Sequence, residues 1–174
     1  MIFVLEIITV FLLIAGIGAK PLSLTTLRND ALGYSVKYPI GWNIAHETVG
    51  GTKGLIITND YNHTGKVSGQ IEVVDITAPP NGYSQDVLKV IADSIKKNNK
   101  GTVVSYENRG LKNGLNALTL TTTYDGDNIR VKSKTTIVIK KDSTIYIVST
   151  QAPETNWSRY ETSFNDIHST FSLR

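Results

Sequence analysis

The sequence predicts an α+β fold, an α-β-α sandwich in which helices pack on the faces of a central antiparallel sheet, preceded by an N-terminal hydrophobic helix. Three observations point there. Most of the chain beyond residue 30 reads with period two and is rich in Val, Ile and Thr, the pattern of half-buried strands. Two segments switch to a helical period, each behind a start signal. Short Asp, Gly and Ser turns join the longest strands, which makes their pairing antiparallel.

The chain opens with MIFVLEIITVFLLIAGIGAK, where Ile2 to Ala19 is interrupted by a single charge, Glu6. The run Ile7 to Ala19, 13 residues, suits a signal-peptide apolar region better than the roughly 20 residues of a bilayer span. Small residues Gly16, Gly18 and Ala19 close it, but no Lys or Arg precedes it. A cleaved signal peptide, a retained signal anchor and a buried core helix are therefore all compatible. Either of the first two exports the domain, so residues 1–19 are taken as leader or anchor and 20–174 as one domain. The expected location is extracytoplasmic, secreted or anchored, with membrane contact through residues 1–19 if they stay attached.

The stretch LGYSVKYPIGWNI, Leu32 to Ile44, starts the strands. Tyr34 to Tyr38 alternates, Pro39 suits the second position of a type I turn ending at Gly41, and Trp42 to Ile44 resumes alternation on a return strand. Trp42 is expected in the core, with an exposed binding tryptophan as the alternative. Further strands are expected at Gly54–Thr58, Gln70–Ile76 and Val103–Tyr106. Leu115–Tyr124, Asn128–Lys140 and Thr144–Thr150 form a meander joined by Asp125-Gly126-Asp127 and Lys141-Asp142-Ser143.

The first helix is expected over Gln85 to Asn98. Ser84 caps it, Val87, Leu88, Ile91 and Ile95 share a face, and Lys96, Lys97, Lys100 and Gly101 stand at its end. The second follows Pro153, where Trp157, Tyr160, Phe164, Ile167 and Phe171 recur at steps of three and four. Such an aromatic stripe faces a sheet.

This order of elements resembles the PsbP family. The resemblance rests on "LGYSVKYPIGWNI" with Pro39 and Trp42, the helix "YSQDVLKVIADSIKKN", the strand "LKNGLNALTLTTTY" and the closing "HSTFSL" with Thr170-Phe171. It covers Leu24 to Leu173 and implies the α-β-α sandwich. Plant and algal members help the oxygen-evolving complex of photosystem II hold calcium and chloride, a eukaryotic relative binds the GTPase Ran, and many prokaryotic relatives are exported. The common implication is docking on a protein partner without catalysis. The N-terminus lacks the Ser- and Arg-rich character of a chloroplast transit leader, so the photosynthetic role does not carry over.

Composition narrows the function classes. With 40% hydrophobic and 19% charged residues the chain is globular, and the absence of cysteine excludes disulfides, thiolate metal sites and cysteine nucleophiles. Net charge is +3, or +4 without the leader and its Glu6, too small and unclustered for nucleic acid. The three histidines, His46, His63 and His168, sit in no GxSxG, HExxH or phosphate-loop motif, so no enzyme and no cofactor are expected. Asn59-Asp60-Tyr61-Asn62 and Asp125-Gly126-Asp127-Asn128 would offer oxygen ligands to calcium, although turn formation explains both. The sequons at Asn62 and Asn156 would accept glycans only in a glycosylating host.

One surface stands out. Arg130, Lys132, Lys134 and Lys140 share a face of one long strand with Thr136 and Val138. This stripe is a candidate contact for an anionic partner, or a solvated strand face that discourages aggregation. The functional expectation is an exported non-catalytic accessory or assembly protein docking on a membrane-associated complex. The alternative is a soluble extracytoplasmic binding module for calcium or a small anionic ligand.

Overall fold

The computed structural model describes residues 23–49, 52–58, 68–75, 89–90, 93–94, 97, 102–110, 115–126, 129–140 and 144–174. The N-terminal hydrophobic helix, the Asn59–Asn62 loop, Asn62, His63 and the Lys141–Ser143 turn all lie outside these residues.

Two antiparallel sheets and a closing helix form the described part. The smaller sheet places β2 (Tyr34–Pro39) between β1 (Leu24–Asn29) and β10 (Ser172–Leu173). The larger holds seven strands: β3 (Asn43–Val49), β4 (Thr52–Thr58), β5 (Ser68–Asp75), β6 (Thr102–Gly110), β7 (Asn116–Gly126), β8 (Ile129–Ile139) and β9 (Thr144–Pro153). Their spatial order is β3-β4-β5-β9-β8-β7-β6, and every neighbouring pair is antiparallel. The fold is therefore α+β, and the β7-β8-β9 meander expected from its turns is present. β6 bulges at Val104, where the register to β7 slips by one residue.

The chain between β5 and β6 leads from inside the sheet to its edge. Within it Lys89, Val90, Asp93, Ser94 and Lys97 are helical and exposed, and all five lie off the apolar face expected for the first helix.

The opening segment differs from expectation in two ways. Trp42 N donates to Pro39 O at 3.3 Å, so Pro39 opens the turn instead of standing second. Gly41 is third, with φ +86°, which a type I turn excludes and a type II turn requires. Nor does Trp42–Ile44 return along β2. Both edges of β2 are occupied, by β1 and β10, so the chain crosses to the larger sheet as β3. The turn thus links two sheets instead of closing a hairpin.

Helix α1 (Trp157–Thr170) follows a 3-10 turn at Glu154–Asn156 and lies against β2, β8 and β9. Its stripe faces inward as expected: Trp157, Tyr160, Phe164 and Ile167 are buried, and Phe171 continues the line beyond the helix end. Phe164 is fully enclosed and touches Trp42, Trp157 and Tyr160, with ring centroids 5.4 to 6.4 Å apart. Phe171 packs on Tyr34 and Tyr146 at 5.8 and 6.0 Å. Trp42, at the end of the turn and just before β3, is half-buried against this core. On the opposite sheet face Leu120, Ile137 and Ile145 form a second, smaller cluster.

Truncating the ring at the centre of this packing, Phe164→Ala, is expected to lower stability by about 3–5 kcal/mol in urea unfolding. Ile40→Ala, at a residue 63% exposed, is expected to change it by less than about 0.5 kcal/mol. Equal losses in the two variants would place the core elsewhere.

Candidate functional site

The basic stripe lies on the β8 face that α1 covers. Its members consequently meet different surroundings. Arg130, at the open end, is exposed and lies 3.1 Å from Glu154 and 3.7 Å from Asp125, and it donates to Thr123 Oγ1 at 3.3 Å. Lys132 is half-buried, with Nζ 4.9 Å above the Trp157 ring, a cation–π geometry. Lys134 is only 9% exposed and donates from Nζ to Asn165 Oδ1 of α1 at 2.6 Å. Lys140 is half-buried past the far end of β8, where its backbone N–H bonds Thr144 O at 2.9 Å. Ten residues of strand, about 33 Å, separate Arg130 from Lys140, with α1 laid across the middle. The four cations do not make one continuous patch.

Beneath α1 the same face carries a polar cluster built around His168. Thr136 Oγ1 lies 2.8 Å from His168 Nδ1, and Thr150 Oγ1 lies 3.0 Å from Nε2. Thr119 Oγ1 is 2.9 Å from Thr136 Oγ1, and the Thr150 hydroxyl donates to Lys134 O at 3.4 Å. Both imidazole nitrogens thus lie within hydrogen-bond distance of a hydroxyl, and Thr119, Thr136, His168, Thr150 and the Lys134 carbonyl form one connected chain.

A hydroxyl 2.8 Å from an imidazole also has the geometry of a nucleophile and its base. Access decides against that use in this conformation: Thr136 is 3% exposed, His168 4% and Thr150 0%. The cluster joins helix to sheet. Of the other histidines, His46 lies on the edge strand β3, remote in the sheet order from β8.

Asp125, from the second calcium-type loop, lies 3.7 Å from Arg130, while Asp127 and Asn128 of that loop lie outside the described residues. Among the described residues no three His, Asp or Glu side chains gather as a metal site. Nor is any described helix long and apolar enough to cross a membrane. Asn156 is exposed at the start of α1, and its side chain does not cap the helix.

Two tyrosines are electrostatically distinct. Burial pushes the Tyr124 phenol above its ordinary pKa, and its hydroxyl donates to Gln151 Oε1 at 2.7 Å. Burial also raises Tyr34; the neighbouring Asn29 side chain lowers it in part, and Tyr146 adds to the rise. Tyr34 Oη is enclosed without a well-formed hydrogen bond. Both phenols favour the protonated state in the fold.

The PsbP family model matches residues 23–173. The chain belongs to the PsbP family. Among solved structures it is similar to cyanobacterial PsbP, CyanoP, from Synechocystis sp. PCC 6803, with a TM-score of 0.65, 17% identity, and coverage of 91% of this chain and 96% of that one. LpqN of Mycobacterium tuberculosis, described as involved in cell envelope biogenesis, matches at TM-score 0.60 and 12% identity over 87% of this chain and 90% of that one. The Saccharomyces cerevisiae Ran-binding protein Mog1p matches at 0.56 and 9%, over 87% and 96%. At these identities the likeness is one of fold. No curated protein matches the chain.

In this PsbP-family domain sequence reasoning missed the His168 cluster. Its parts were visible: Lys134 and Thr136 two apart on a strand, Asn165 and His168 three apart on a helix. Each spacing puts its pair on one face. What the sequence lacks is the register that lays one pair on the other.

Thr136→Val keeps the shape and removes the hydroxyl that bonds His168 Nδ1, so the variant is expected to lose about 1–3 kcal/mol in urea unfolding. An unchanged midpoint would show that the cluster contributes nothing to the fold. The tyrosines set a pH dependence. Because their folded pKa values lie above the ordinary 10.0, this contribution is fully present below about pH 10 and is lost as pH rises through the folded values. Tyr124→Phe is expected to make the alkaline fall in melting temperature shallower, with Tyr34 sustaining the remainder.

Proposed function

We propose that this protein is an exported, non-catalytic accessory or assembly factor that docks on an extracytoplasmic, membrane-associated complex. The observation that carries the reading is the sealing of the His168–Thr136 pair under α1, which removes the best nucleophile–base geometry from solvent and leaves function to the surface. Membership of the PsbP family supports it. LpqN, similar in fold, is described as acting in cell envelope biogenesis, and Mog1p is a partner-binding protein by its name. The apolar start of the sequence, Ile2 to Ala19, supports export.

Within this reading Arg130 is the stripe residue placed to meet a partner, since it is exposed and its ion pairs, at the surface, are worth at most about 1 kcal/mol each. Lys134 serves the joint between helix and sheet. A second helical layer of an α-β-α sandwich belongs to the same reading, supported by the helical residues Lys89, Val90, Asp93, Ser94 and Lys97 and by the apolar cluster on the sheet face away from α1.

Affinity purification of tagged full-length protein from its native membranes, with mass spectrometry of the co-purifying proteins and of the mature N-terminus, tests the proposal. Stoichiometric membrane-associated partners are expected. A chain that starts at Lys20 and purifies alone would contradict it.

A further inference from the structure

The turn that joins the two sheets carries an isoleucine, Ile40, that is 63% exposed. A lone exposed aliphatic residue is ordinary on a protein surface. Its place is what matters here. Ile40 N donates to Ser23 O at 2.8 Å, and β1 pairs Leu24 with Pro39, so the turn is bonded to the point where the chain enters the domain. Only four residue steps separate Ser23 from Ala19, the end of the apolar segment Ile2–Ala19. Fully extended, four residues reach about 14 Å. Wherever that segment resides, Ile40 is held near its end.

The chemistry around the turn fits a lipid surface. Lys20 lies within the four-residue tether. Lys37, exposed on β2, stands three residues before Ile40 and bonds the end of α1 only through its backbone. Trp42, on the other side of the turn, is half-buried against Tyr160, and the exposed Arg159 has its guanidinium carbon 5.6 Å from the centroid of the Tyr160 ring. Of the two helix carboxylates, Glu161 accepts from the Trp157 indole, and Asp166 lies one turn before Thr170. An exposed aliphatic tip beside a partly accessible tryptophan and cations is what an anionic membrane interface retains.

We infer that the Pro39–Trp42 turn is a lipid contact: Ile40 enters the headgroup layer of an anionic bilayer beside the exit of the Ile2–Ala19 segment, fixing how the domain is presented to its partner. This rests on the reading above and takes from the sequence alternatives the retained signal anchor, in which that segment stays attached.

The chain has no cysteine, so Ile40→Cys creates one labelling site at an exposed position. The full-length variant is labelled with bimane and reconstituted with phosphatidylcholine/phosphatidylglycerol vesicles carrying a headgroup-level nitroxide lipid. Ser23→Cys is a second probe of the same end. Ala31→Cys, exposed in the turn at the opposite end of the β1–β2 hairpin, is the control, about 17 Å along the strands. Quenching at positions 40 and 23 but not at 31 is expected, and Lys37→Gln should reduce the contact about five-fold. Vesicle-bound protein quenched at neither 40 nor 23, or quenched equally at 31, overturns the contact while leaving anchoring intact. Protein that does not float with the vesicles overturns both. Protection of position 40 from aqueous quencher in native membranes alone, without lipid quenching, would assign the turn to a protein partner and so overturn the lipid contact.

Discussion

One helix has to cover two sheets at once. α1 lies across β8 and β9 of the larger sheet and beside β2 of the smaller one, and nearly every other feature follows from that double duty. Phe164 meets Trp42, which enters from the turn between the sheets, while Phe171 meets Tyr34 and Tyr146, one from each sheet. The C-terminus completes the joint: β10 pairs with β2, Arg174 N bonds Gly33 O at 2.9 Å, and the Tyr146 hydroxyl donates to Leu32 O at 2.8 Å. Gly33, at φ +68°, supplies the backbone that this arrangement needs.

The joint is not wholly apolar. Lys134, Thr119, Thr136, Thr150, Ser163 and His168 are all buried within it or beside it, and an unsatisfied group there would cost more than a hydrogen bond returns. The connected chain of His168 contacts offsets that cost and does something grease cannot. It accepts only one register of helix on sheet, because sliding α1 by a residue would remove both imidazole partners together. The same burial takes Lys134, Thr136 and Val138 of that strand face into the interior and leaves Arg130 exposed at its end.

Much of this was legible in the residues. The aromatic stripe from Trp157 to Phe171 and the antiparallel pairing of the long strands have local causes, and both appear where expected, although Asp125 and Gly126, read as turn residues, extend β7 and pair with Arg130 and Ile129. β1 was not anticipated: LTTLRN has weak alternation and lies half-buried at an edge, where little selects for apolar pattern. β10 is two residues long and exists only because β2 offers a free edge. The turn at Gly41 was displaced by one residue because Pro and Gly punctuation marks a bend without saying which edges remain open beyond it. The stripe on β8 and the His168 cluster share a cause: alternation tells which residues share a face, and only tertiary structure tells what covers that face. The family resemblance, carried by the same scaffold residues, was found over residues 23–173.

A scaffold closed in this way keeps its histidine and threonines for stability and presents loops, one sheet-linking turn and an arginine to the outside. The central claim is that α1 is inseparable from the two sheets. Native-state hydrogen exchange on the full-length chain, followed residue by residue through low denaturant, tests it most directly. The account predicts that amides of α1, β8 and β9 exchange through one common opening whose free energy equals that of global unfolding. Exchange of α1 through its own, smaller opening while β8 and β9 stay protected would show a detachable lid and contradict the account.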